Sequence, residues 1–229
     1  MTIVVDNEAF GVLLLIAVVV VIGFRPTLLI GSKKKEEASN QVSADVLRIH
    51  KGAQRSEAAP ISLFDRGIVE CTLINEVTRD LEVTVRAHCR EAIRQNKPLR
   101  LVLNTFGGSV ATAMAIVATL RCFIKEGNVL QIVAMGECHS AGMMILMAAP
   151  PECRYAVNGA EFMVHAIRNG VDASRSKHTR KLDEDLVKLL ADGSLITSES
   201  LHALMTSGKD CFFGAAEALE RGVIGGIII

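Results

Sequence analysis

The chain has 229 residues, enough for one ordinary domain plus an appendage and for a sizeable core. Lys and Arg total 25 and Asp and Glu total 25, so no charge bias points to nucleic acid as a partner. Half of the residues are hydrophobic, with one Tyr and no Trp, and the excess has a visible location.

Residues Ala9 to Phe24 carry no charge, and TLLIG continues the apolar character beyond Arg25 and Pro26. The run is slightly shorter than the ~20 residues of a spanning helix, but Arg25 can snorkel and the following residues can sit at the interface. The reading is a single membrane anchor over 1–31, in contact with the lipid through residues 9–30. An acidic N-terminus (Asp6, Glu8) and the lack of an A-x-A site argue against a cleaved signal peptide. Arg25, Lys33, Lys34 and Lys35 follow the run, so the positive-inside rule predicts a cytoplasmic C-terminal bulk. Six cysteines without a C-x-x-C pair suit reduced thiols there better than disulfides or a zinc site.

Residues 32–60 are polar and charged and read as a linker, with a short helix around Ala44 to His50. The folded domain is expected over 61–229, starting with ISLFDRGIV as strand and turn. Glu76 to Asn96 then reads as an amphipathic helix with Val77, Leu81, Val85 and Ala92 facing inward.

Two strand-to-helix junctions follow. LRLVLNTFGGSVATAMAIVATL reads as an apolar strand (Leu99 to Leu103), a turn at Gly107 and Gly108, and a helix. VLQIVAMGECHSAGMMILMAA repeats the plan, with a strand over Val129 to Met135 and Ser140 where the next helix begins. Backbone N–H groups at a helix start and on a glycine turn stabilise developing negative charge, so the pair of junctions suits acyl transfer. Such turns also serve tight packing, and serines at helix starts are commonly N-caps. Cys138, near Ser140, reads as a small buried residue.

Beyond Ala149 the chain predicts strands over Arg154 to Ala156 and Glu161 to Ala166, with a turn at Asn158 and Gly159. His165 lies in the second strand, where a lone histidine is more often structural than a base. Asp172 to Ala191 reads as a charged helix with its DED run on a solvated face. The tail offers Phe212 and Phe213 as core candidates, a short helix from Ala215 to Arg221 and a closing apolar strand, with Asp210 just before them. Alternating strands and helices predict an α/β domain with a largely parallel sheet.

LVLNTFGGSV, GECHSAGMMILMAA, NGAEFMVHA and KDCFFGAAEALERGVIGGI, in that order over residues 61–229, resemble the proteolytic subunit of the Clp protease family. The resemblance implies a Clp/crotonase-like fold of repeated strand-turn-helix units, preceded here by one transmembrane helix. It implies a serine endopeptidase working through a Ser-His-Asp triad and an acyl-enzyme. Ser140 matches the nucleophile, His165 the general base and Asp210 the orienting carboxylate, at separations of 25 and 45 residues. The backbone N–H groups of Gly108 and Ala141 match the oxyanion donors. Peptide would bind as an added strand near Gly108, Ser109 and Val110 on one side and Ala166 on the other.

Ring-forming homo-oligomers and an ATP-driven unfoldase partner are further implications, with peptide or unfolded protein as substrate. No nucleotide motif or metal-ligand spacing is present, so no cofactor is expected. Phe106 stands where the family has proline, and His139 puts a bulky imidazole beside the nucleophile. Two other readings remain open. One is a signal-peptide-peptidase-type membrane protease with a Ser-Lys dyad, its base Lys177 or Lys181. The other is an inactive relative serving assembly or binding. Crotonase-type acyl-CoA chemistry shares the broad fold but does not require this triad.

Overall fold

The computed structural model describes residues 41–42, 44–168 and 177–228. In chain order its main elements are β1 (Gln41–Val42), β2 (Val69–Val77), α1 (Arg79–Gln95), β3 (Leu99–Gly108), α2 (Val110–Lys125), β4 (Leu130–His139) and α3 (Ala141–Leu146). β5 (Arg154–Val157), β6 (Glu161–Val164), α4 (Lys177–Gly193), α5 (Ser198–Ser207), β7 (Asp210–Gly214), α6 (Ala215–Glu220) and β8 (Gly226–Ile228) follow.

The first long strand lies later than the sequence suggests. Residues 61–68 form turns, and VECTLINEV alternates buried Val69, Cys71 and Leu73 with exposed neighbours, the period-2 pattern of a strand. Thr78 then N-caps α1, so the expected helical start at Glu76 belongs to the strand. α1 ends where Asn96 turns left-handed and its amide bonds to Ala92 O and Ile93 O. In β3, Leu99, Leu101 and Leu103 are fully buried, each contributing about 1.5–3 kcal/mol over an exposed position.

The sheet runs β7-β6-β4-β3-β2, with β5 paired to β4 and β8 to β5. Pairings β2–β3, β3–β4, β4–β5, β4–β6 and β5–β8 are parallel, as expected of a mostly parallel sheet, whereas β6–β7 is antiparallel and makes the sheet a mixed one. β7 returns antiparallel to β6 after α4 and α5. α1 packs on α2 and α2 on α3, with α3 against β3 and β4. α2 buries Ala113, Ile116, Val117, Leu120 and Phe123 at helical spacing, and the Ser109 hydroxyl caps it by accepting from Thr112 N–H.

The polar segment before the first long strand is tied to this body. Leu47 is buried, Ala58 N–H donates to Gly225 O, and Tyr155 Oη–H donates to Ala59 O. The anchor expected over 1–31 lies outside the described residues. Among the described residues no helix is long and apolar enough to cross a membrane. α1 and α4 reach 17 residues but are studded with charges, and the apolar α2 is shorter still.

Parallel pairing brings the C-terminal ends of β3 and β4 together, with Thr105 opposite Cys138. That edge of the sheet, where β6 also joins, carries the candidate residues.

Candidate active site

Ser140 follows β4 directly and precedes α3, at φ 54° and ψ −113°. This backbone conformation is sparsely populated for a non-glycine residue, costing about 1–3 kcal/mol that the surroundings must offset. Two contacts hold it. Ser140 N–H donates to Met163 O at 2.9 Å, continuing the β4–β6 pairing. Met143 N–H donates to Ser140 O at 3.0 Å and closes the first helical turn.

Gly107 lies against the nucleophile from the other junction. At φ 106°, a Cβ on it would fall 2.7 Å from Ser140 Cβ. Gly107 N–H donates to Thr105 Oγ1, whose own hydroxyl donates to Asn75 O. Gly108 instead backs onto β2, where a Cβ would meet Val77 N at 2.7 Å. Ser109 N–H donates to Val77 O at 3.0 Å, so the amides on either side of Gly108 are committed.

His165 stands just past β6. Because β6 and β7 are antiparallel with Val164 opposite Cys211, the next position of that register sets His165 across from Asp210. His165 Nε2 lies 2.8 Å from Ser140 Oγ, and His165 Nδ1 lies 3.8 Å from Asp210 Oδ1. The structure thus brings the three expected residues together, with the first contact closed and the second open. Nδ1 is buried without a hydrogen-bond partner among the described residues. The same Asp210 oxygen accepts from Arg168 Nη2 in an ion pair.

Burial lowers the His165 pKa from its ordinary 6.5, and the Arg168 charge lowers it further. Asp210 and Asp183 oppose that shift, and His139 adds to it. The imidazole is therefore neutral at pH 7, the form that can accept a proton. Asp183, buried on α4, also accepts from Ile167 N–H at 2.8 Å and fixes the backbone two residues past His165.

His139 is buried in β4, edge-on to Phe212 at 5.6 Å between ring centroids, with Nε2 3.2 Å from Glu161 Oε1. Adjacent strand residues point to opposite faces, so it packs sideways against β6 and β7 rather than on the neighbouring serine. Cys138 is fully buried, and burial pushes its thiol pKa far up, so it is no thiolate nucleophile. Phe106 is half exposed at the glycine turn. Val110 opens α2, and Ala166 is buried between His165 and Ile167. Lys177 opens α4, and Lys181 is exposed with Asp185 at 4.0 Å, so neither lysine is drawn into the Ser140–His165 contact.

Sequence reasoning misses Gly107's contact with Ser140, Arg168 and Asp183. Gly107 and its neighbour look alike in a Gly-Gly pair, whereas Arg168 and Asp183 act across tertiary contacts that no spacing rule predicts.

Comparisons with known proteins give the family and the fold. The family model described as Clp protease matches residues 61–229. The chain is 28% identical over 165 residues to ATP-dependent Clp protease proteolytic subunit 2 of Treponema pallidum (strain Nichols), covering 68% of this chain and 80% of that protein. It is 31% identical over 166 residues to the ATP-dependent Clp protease proteolytic subunit of Streptococcus pneumoniae (strain 70585), covering 69% and 79%. A mutant of ClpP1 from Listeria monocytogenes shares the fold with a TM-score of 0.62 at 20% identity, over 70% of this chain and 91% of that one. These relatives are not described as membrane proteins, and the described residues hold no spanning helix. The expected single-pass membrane location is thereby overturned. From residue 61 onward the match is continuous, and the chain belongs to the Clp protease family of serine-type endopeptidases.

Proposed function

We propose that this chain hydrolyses peptide bonds through Ser140, His165 and Asp210 by way of an acyl-enzyme. The observation that carries the reading is the 2.8 Å contact between Ser140 Oγ and His165 Nε2, within a Clp protease domain. With its proton on Nδ1, the imidazole offers Nε2 as an acceptor for the Ser140 hydroxyl. As Oγ attacks the peptide carbonyl, His165 takes the proton and then gives it to the departing amine. Water repeats the cycle on the ester and restores the serine. Asp210, closing from 3.8 Å, accepts a hydrogen bond from Nδ1–H and, staying ionised, stabilises the imidazolium.

Oxyanion stabilisation is assigned to the backbone N–H groups of Gly108 and Ala141. Gly107 N–H and Ser109 N–H are committed elsewhere, which supports Gly108 as the donor from its turn. Ala141 follows the nucleophile at the first position of α3, where helical amides lack an intrahelical partner. Substrate peptide would pair with the edge at Gly108, Ser109 and Val110 and with Ala166. The relatives are named as subunits of ATP-dependent proteases, which supports a homo-oligomeric ring fed by a separate ATPase.

Hydrolysis of short fluorogenic peptides by the full chain tests this reading. Ser140→Ala and His165→Ala should lose about 10³-fold or more in kcat, and Asp210→Asn a smaller but large factor. Activity that survives Ser140→Ala in a sample free of other peptidases would overturn the assignment.

A further inference from the structure

The sequence gives Arg168 no special standing, yet its side chain reaches the centre of the site. Its Nη2 pairs with Asp210 Oδ1, the same oxygen that faces His165 Nδ1 across 3.8 Å. A hydrogen bond to the imidazole would need that gap to close by about 1 Å. Asp210 is therefore shared between two claimants, and in this arrangement the guanidinium holds it.

We propose that Arg168 determines specificity. Its ion pair holds Asp210 off the imidazole, and a carboxylate on the bound peptide near the scissile bond draws Arg168 away and lets Asp210 close on His165. The inference rests on the triad reading above.

Three observations support the exchange. Arg168 is about half exposed while Asp210 is largely covered, so solvent and substrate reach the pair from the arginine's side. An ion pair with one partner in solvent is weak and readily exchanged. A guanidinium presents five donors in a planar fork matched to a carboxylate, so an acidic peptide group can take it bidentately. Arg168 also lies three residues past His165, on the segment assigned to the bound peptide.

A neutral peptide offers the guanidinium nothing in return for Asp210 and meets an incompletely aligned triad. A peptide with Glu or Asp beside the scissile bond completes it on binding. The charged and titratable groups facing His165 are Arg168, Asp210 on β7, Asp183 on α4 and His139 on β4. Removing the guanidinium and bringing Asp210 closer both favour the imidazolium, so the acid limb of activity moves with Arg168.

The test compares two fluorogenic peptides that differ only in Glu against Gln next to the scissile bond, using the full-length protein and Arg168→Gln. For the natural chain kcat/KM should favour the Glu peptide about fivefold or more, a modest coupling between two bound groups. In Arg168→Gln the ratio should fall to about one, the Gln peptide should be cleaved faster than by the natural chain, and the acid limb should move to higher pH. Arg168→Lys, which keeps the charge without the fork, should retain part of the preference. A Glu-to-Gln ratio unchanged by Arg168→Gln, or slower cleavage of the Gln peptide by that variant, overturns the proposal. Fluorophosphonate labelling of Ser140 in the same samples separates the two readings. Labelling with unaltered selectivity removes only the role of Arg168, whereas absence of labelling in the natural chain removes the triad as well.

Discussion

Gly107 runs so close to Ser140 that a β-carbon on it would lie 2.7 Å from Ser140 Cβ. The contact joins the two strand-to-helix junctions, one ending β3 and the other ending β4, and leaves the nucleophile's strained backbone no room to relax. Gly107→Ala must move one junction off the other. A displacement of about 1 Å at the reacting atoms costs on the order of 10² in rate, and the strain costs about 1–3 kcal/mol. Peptide hydrolysis together with urea unfolding measures both losses.

Asp183 ties α4 to the segment after His165 through the 2.8 Å bond from Ile167 N–H. Asp183→Ala leaves a buried amide without its acceptor, at about 1–3 kcal/mol of stability. Because the bond fixes the backbone two residues beyond the base, kcat should fall with the stability. Asp183→Asn keeps an acceptor and should recover most of both, as read by urea unfolding and steady-state kinetics.

The depressed pKa of His165, due to burial first and to Arg168 second, sets the sign of an acid effect. Below the ordinary value of 6.5 the unfolded chain takes up the proton before the folded one, so unfolding binds protons in that range. The stability tied to neutral His165 is fully present above that pH and declines as pH falls towards and through the lowered folded value. Urea midpoints between about pH 5 and 7.5 should drop on the acid side, and His165→Gln should flatten that slope.

Arg154 is buried and held chiefly by backbone carbonyls. Its guanidinium donates to Ala149 O at 2.7 Å and Val223 O at 3.3 Å, and also reaches Gly193 O and Met147 Sδ. Burial lowers its pKa to about 10, so it remains charged at neutral pH. Arg154→Met strands these carbonyls and should cost about 2–4 kcal/mol, with Arg154→Lys recovering little because it lacks the fork. Chemical denaturation of the three proteins measures the difference.

What the sequence makes legible is what local pattern encodes. The apolar runs at Leu99 and Leu130, each ending in small residues before a helix, announce β3 and β4. Ser140 is marked by its position at such a junction, and His165 and Asp210 by order and spacing within a family pattern. Other features depend on partners distant in the chain. Asp183 sits in a DED run that looks solvated, yet it is buried because Ile167 presents an amide to it. Leu47 lies in a polar stretch but is buried, and Arg48 O there accepts from Thr197 N–H. α5, N-capped by Thr197, is obscured by a serine- and threonine-rich sequence that reads equally as a loop. The long apolar run near the N-terminus suggests a membrane, a location that the relatives and the described helices do not uphold.

The most direct test of the central claim is labelling of the full chain with a fluorophosphonate probe, followed by mapping of the modified residue. The probe requires an activated serine and an oxyanion hole but no knowledge of the natural substrate. The account predicts modification at Ser140, abolished in Ser140→Ala, strongly slowed in His165→Ala and Asp210→Asn, and unchanged in Lys177→Ala and Lys181→Ala. A folded, assembled protein that does not label, or that labels at Ser140 only while one of those lysines is present, would contradict it.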